Sequence, residues 1–205
     1  MHTYNVIRVL AEVNILRQEQ NYEITIRRLM NLIQLYGEDP RIQALVAYCH
    51  FALACNDPDE TGDNYQQAIT WMEKAIASLP NDAKLYAILA EYYSIGVLDY
   101  KKSAQLYRQA IQLNPNDAWI LSNAAALYGV PEQVVTRDEA IAWLERATQQ
   151  EPDEPNYLFR LGSLYAEAGR FEDSARVWLQ SLLCSRPLDL GATQAILEAI
   201  NGGVG

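Results

Sequence analysis

The chain has 205 residues, of which 50% are hydrophobic and 20% charged, so it can bury a sizeable core and is not a disordered polymer. Its net charge is −10, and because residues 1–50 balance five Arg (Arg8, Arg17, Arg27, Arg28, Arg41) against Glu12, Glu19, Glu23, Glu38 and Asp39, the whole excess of acid lies after residue 50. An acidic body without a basic stripe excludes a surface that tracks phosphates, since nucleic-acid affinity comes largely from Lys and Arg.

Three cysteines, Cys49, Cys55 and Cys184, form no paired framework and suit reduced thiols in a cytosol-like compartment. Arg8 and Glu12 interrupt the apolar positions of residues 1–16, which therefore lack the uncharged core of a signal peptide. The longest apolar run, residues 44–55, falls short of the roughly 20 residues of a membrane helix. A soluble, cytoplasmic protein without membrane insertion is expected.

In chain order, Val6, Val9, Leu10, Val13 and Leu16 carry the period of a first amphipathic helix, and Tyr22, Thr25, Leu29 and Leu32 that of a second. The turn Tyr36-Gly37-Glu38-Asp39-Pro40 follows. From there a spacing recurs: Ala68, Met72, Ala75, Pro80; then Ser103, Tyr107, Ala110, Pro115; then Ala140, Leu144, Ala147, Pro152. Each proline precedes a helix-start signal, Asn81-Asp82, Asn116-Asp117 or Asp153-Glu154, as a helix that cannot run through proline hands over to a newly capped one. After each of these blocks comes a helix that sets small residues beside large ones: Tyr86, Leu89, Ala90, Tyr93; Leu121, Ala124, Ala125, Tyr128; and Leu158, Leu161, Gly162, Tyr165. The last is followed by Ala168-Gly169-Arg170, a glycine turn, and by Ser174, Trp178 and Ser181 on the returning helix.

This arrangement resembles the tetratricopeptide repeat, W-x-x-L-G-x-x-Y, then A-x-x-x-F-x-x-A, then P, over about 34 residues. Leu158, Leu161-Gly162 and Tyr165 stand at the first group of family positions, and Ser174, Trp178 and Ser181 at the second. The resemblance spans roughly residues 6–187. It implies an all-α, right-handed solenoid of about five antiparallel helix pairs, one domain over 1–205 with repeats at 6–40, 41–80, 81–115, 116–152 and 153–187. A helix over 188–200 would cap the last pair before the glycine-rich tail 201–205. The spacing between second-helix positions, 43, 35, 37 and 34 residues from Thr25 through Ala68, Ser103, Ala140 and Ser174, places the surplus in the turns 56–64 and 129–138.

The family turns its first helices toward a concave groove that binds peptides, with no chemistry of its own. Carried onto this chain, the groove positions are Tyr48, Phe51, Lys84, Ile88, Glu91, Trp119, Asn123, Phe159 and Arg160. The basic clamp by which some members hold an acidic peptide terminus is not reproduced, because only Lys84, Asn123 and Arg160 are available and Glu91 opposes them. A noncatalytic scaffold that holds a peptide segment or helix of a partner protein is the expected function. Self-assembly into a homo-oligomer through the terminal repeat or capping helix is the alternative.

No catalytic residue, cofactor or metal is expected. Asp57, Asp59, Glu60 and Asp63 crowd one turn, but Gly62 is misplaced for a calcium loop. Cys49, His50 and Cys55 lack the paired spacing of a zinc site. No dinucleotide, phosphate-loop, G-x-S-x-G or H-E-x-x-H motif occurs. His50 falls by this register at the position of Ala90, Ala125 and Gly162, which requires either a splayed hairpin or a shifted register.

Overall fold

Aspartate, threonine or glutamate stands immediately before most of the helices, and its side chain takes up an amide hydrogen that the first turn leaves unpaired. In the computed structural model, which describes residues 21–56 and 62–185, Asp82 Oδ1 accepts from the Lys84 amide at 3.0 Å, and Asp117 Oδ1 from Ile120 at 3.1 Å. Asp99 accepts from Lys102 at 2.9 Å, and Glu154 from Asn156 at 3.2 Å. Thr136 and Glu139 form a reciprocal capping box. Thus the signals after Pro80, Pro115 and Pro152 are helix caps, as the sequence predicts.

Nine α-helices and no strand occur among the described residues: α1 (Tyr22–Tyr36), α2 (Pro40–Asn56), α3 (Gly62–Ser78), α4 (Ala83–Tyr92), α5 (Tyr100–Leu113), α6 (Ala118–Ala126), α7 (Arg137–Gln150), α8 (Pro155–Glu167) and α9 (Phe171–Ser185). They fall into two compact units, one within Met1–Pro115 and one within Asn116–Gly205. In the first, α2 pairs with α3 and α4 with α5, while α1 packs on α2; in the second, α6 pairs with α7 and α8 with α9. The helix expected at 6–16, the capping helix at 188–200 and the tail 201–205 lie outside the described residues, as do residues 57–61 of the turn expected at 56–64.

The recurring second-helix positions form the interior. Thr25, Leu29 and Leu32 on α1, Ala68, Met72 and Ala75 on α3, Ser103, Tyr107 and Ala110 on α5, and Ala140, Leu144 and Ala147 on α7 are all buried. In the first unit Leu29, Leu32, Ile42, Val46 and Cys49 make one cluster, with Ile26, Leu53 and Trp71 packed around it. A tyrosine-to-glutamate hydrogen bond then ties one pair to the next within each unit. Tyr93 Oη donates to Glu73 at 3.5 Å, and Tyr165 Oη to Glu145 at 2.7 Å, the two residues being 20 apart in sequence both times.

The turns differ. After α8, Gly169 takes φ +75°, the Arg170 amide donates to the Tyr165 carbonyl at 2.8 Å and the Gly169 amide to Ala166 at 3.0 Å, closing the helix with a left-handed glycine as the sequence predicts. After α4 the chain instead widens into a π turn, Tyr93–Val97, before Leu98 turns it at φ 58°. Gly96 lies against the Tyr65 ring, where a Cβ would collide with the ring carbons. The turn after α6 is anchored by Val135, which is buried.

Not every expected core residue is interior: Tyr93 and Tyr128 are half-buried. Trp178 aligns with the buried Met72, Tyr107 and Leu144, yet it is 41% exposed. Its indole lies over Gly162, and its Nε1 donates to the Phe159 carbonyl at 3.1 Å. The missing side chain at Gly162 makes this seat. Gly162→Val is therefore expected to destabilise the protein by about 2 kcal/mol through overpacking, lowering the melting temperature by roughly 4–8 °C, as thermal unfolding followed by circular dichroism would measure. Combining it with Trp178→Leu should recover part of the loss.

Candidate functional site

Counting from the start of each first helix corrects the register around His50. Helices α2, α4, α6 and α8 begin at Pro40, Ala83, Ala118 and Pro155, and their eighth residues are Ala47, Ala90, Ala125 and Gly162, each buried at the contact with the returning helix. His50 lies three positions further along. It is half-buried, and its Nδ1 hydrogen-bonds with Asn64 Oδ1 at 2.9 Å at the start of α3. The hairpin is not splayed to admit an imidazole; α2 is longer than the other first helices, and its additional residues extend it beyond the close contact.

With that register, the equivalents of Lys84, Ile88 and Glu91 on α2 are Arg41, Leu45 and Tyr48. The geometry agrees. A groove of about 480 Å³ in the first unit is lined by Arg41, Ala44, Leu45 and Tyr48 from α2 and by Leu85, Ile88 and Tyr92 from α4, with Met72 of α3 and Leu79 just after it behind them. Tyr48 and Ile88 are thus brought together, as the sequence expects. Arg41 and Leu45 are not legible by motif matching, although Asp39-Pro40 marks the start of α2 from which they can be counted. Phe51 faces inward instead, stacked on Tyr92 with ring centroids 4.3 Å apart and edge-on to Tyr65 at 5.8 Å.

The groove has two electrostatic ends. At one, the Arg41 guanidinium is held by Asp39 at 2.7 Å, a contact that lowers the Asp39 carboxyl below its ordinary value. Asp82 caps α4 there and Lys84 is exposed. At the other, Glu91 follows Ile88 by one turn on the same face of α4. It is half-buried, and desolvation raises its carboxyl above the usual glutamate range. Its neighbour Tyr92 is buried with a hydroxyl that meets no hydrogen-bond partner, and burial, followed by the charge of Glu91, raises that phenol far above its ordinary value. Tyr48, edge-on to Tyr22 with centroids 6.3 Å apart, also bears on the Tyr92 phenol.

In the second unit the expected residues lie on α6 and α8. Trp119 and Phe159 are exposed, Asn123 is half-buried, and Phe159 stacks on Trp178 with centroids 6.4 Å apart. Arg160 spans the two helices, its Nη1 donating to Ser122 Oγ at 2.7 Å, so part of its donor capacity serves the fold. A smaller hollow of about 220 Å³ opens between Ala126, Tyr128, Arg160 and Ser163. Among the described residues no group of three or more His, Cys, Asp or Glu side chains is placed to hold a metal, and no helix is long and apolar enough to cross a membrane.

Residues 137–189 match the family model described as Tetratricopeptide repeat, a stretch that runs from the start of α7 past the end of α9. The fold is that of the tetratricopeptide repeat. Solved structures with the same fold include MamA from Desulfovibrio magneticus RS-1, residues 41 to the end, with a TM-score of 0.68 at 16% identity over 88% of this chain and 95% of that one. Another structure of MamA gives 0.67 at 16% identity over 84% and 94%. TTC0263, a thermophilic tetratricopeptide repeat protein of Thermus thermophilus, gives 0.62 at 19% identity over 94% and 97%. No curated protein matches by sequence. Helix pairs of the tetratricopeptide type therefore account for the alternation of small and large positions in both units.

Two measurements follow from these polar groups and from the bond between Tyr165 and Glu145 in the second unit. Tyr92→Phe removes a buried hydroxyl without a partner and should leave stability unchanged or raise it by about 1 kcal/mol, whereas Tyr165→Phe, which breaks the bond to Glu145, should cost about 1 kcal/mol. Equilibrium urea unfolding of the two variants distinguishes them. For Glu91, a raised carboxyl pKa means that the folded chain holds the proton more tightly than the unfolded one, so its contribution to stability falls as pH rises through the folded pKa. Glu91→Gln should raise the melting temperature at neutral pH by on the order of 1–3 °C, and the difference should vanish as pH falls to about 4.

Proposed function

We propose that the chain is a noncatalytic interaction module that holds a peptide segment or helix of a partner protein in the first-unit groove. The observation that carries this reading is the open apolar trough of about 480 Å³ between α2 and α4, with Leu45, Leu85 and Ile88 along it and Tyr48 at its rim. Aliphatic surface left in a concave place gains by being covered, at roughly 25 cal/mol for each Å² removed from water. Tetratricopeptide repeats as a family use this face for peptides, which agrees with the position of the groove on first helices. The face of the second unit bearing Trp119, Asn123, Phe159 and Arg160 is a further contact surface, because exposed aromatic and Arg side chains are the usual interface anchors.

The test is binding of the full chain to an array of random dodecapeptides, repeated with Ile88→Asp and, separately, with Trp119→Ala combined with Arg160→Ala. Ile88→Asp should lower the retained signal at least tenfold, since a charge buried in an apolar contact without a partner is costly. The double variant should lower it less. Equal binding by a folded Ile88→Asp protein would overturn the assignment of the groove.

A further inference from the structure

Between the apolar trough and the end of α4 stands a carboxylate without a cation. Glu91 is half-buried one turn beyond Ile88, at the edge of the groove that Ile88 lines, and it meets no Lys, Arg or His among the described residues. Arg41 is fastened to Asp39 at 2.7 Å. Lys84 and Asp82 lie near the opposite end of α4, seven and nine residues before Glu91, about 10 to 14 Å along the helix axis. The groove edge beside Glu91 is aromatic: Tyr48, its equivalent on α2 by register, and Tyr92, the next residue on α4, both line the groove. A carboxylate paired with the face of an aromatic ring is the chemistry that receives an ammonium or guanidinium group. The chain's net charge of −10 favours approach of a basic partner.

Building on the groove reading, we infer that the partner segment is basic, with a Lys or Arg that pairs with Glu91 over the Tyr48 ring while a neighbouring aliphatic side chain fills the trough at Ile88. The spacing is set by α4. Ile88 and Glu91 are one turn apart, so the basic residue stands two positions from the aliphatic anchor in an extended segment, or three or four positions away in a helical one. Binding supplies the cation that the half-buried carboxylate lacks, which lowers its pKa toward the ordinary range.

Selection of a phage-displayed random dodecapeptide library on the full chain tests this directly. Enriched peptides should carry Lys or Arg two to four positions from an aliphatic residue. A synthetic peptide of the enriched sequence should bind Glu91→Gln about tenfold more weakly than the parent at low salt, and the difference should shrink as salt is raised. Glu91→Lys should turn the selection toward Asp and Glu. Enriched peptides that depend on Ile88 but show no basic preference, or that bind Glu91→Gln as tightly as the parent, would overturn the basic partner and leave the groove standing. No enrichment, or enrichment indifferent to Ile88→Asp in a protein whose circular dichroism and melting temperature show it folded, would overturn both.

Discussion

A small residue at the eighth position of each first helix governs how close the returning helix can come, and the rest of each pair depends on that approach. Ala47, Ala90, Ala125 and Gly162 bring backbone near backbone, so the large residues on either side interlock instead of holding the helices apart. Most of these helices have 15 residues or fewer, near or below the length at which an isolated helix is marginal in water. Burial along the shared face is what keeps both folded. Where the small residue is glycine, the neighbour changes too: Trp178 lies flat over Gly162, and its ring reaches the surface beside Phe159.

Consecutive pairs are joined more weakly and with more direction. The bonds from Tyr93 to Glu73 and from Tyr165 to Glu145 run from the end of one first helix to the preceding second helix, at the same separation each time. Their contribution is not mainly cohesive, since a partly solvated hydrogen bond stabilises by only about 1 kcal/mol. They give the contact direction, because a hydrogen bond constrains where its donor and acceptor sit in a way that apolar burial does not. For Tyr165, burial and the carboxylate together push the phenol up to about 12, so the donor keeps its proton throughout the neutral range.

What can be read in the sequence is what repeats. The second-helix rows, the caps at Asp82, Asp117 and Glu154, and the left-handed turn at Gly169 follow from spacing and residue type, because a helix face or a cap requires particular residues at fixed intervals. Groove residues can be read only where the first helix has the usual length. Ile88 is found by position, while Arg41 and Leu45 escape it because α2 is longer and its small residue, Ala47, is one of several alanines along that helix. The π turn after α4 leaves no periodic trace either, since a single extra residue inside a helix does not disturb the apolar pattern around it. The exposure of Trp178 depends on a pairing across two helices, which the periodicity of one helix does not contain.

The unequal turns bear on how such a chain can change over time. Extra residues at the end of α2, in the π turn after α4 and in the segment before α7 all lie where a first helix passes to its partner, away from the starts that set the groove register. Closing a longer connection costs little more than closing a short one, about 0.6 kcal/mol for each doubling. Growth and loss of sequence at these joints is therefore nearly free. The lengths of the hairpin ends can drift while the lining of the trough stays in place, so chains of this fold can be unequal in length and alike along their first helices.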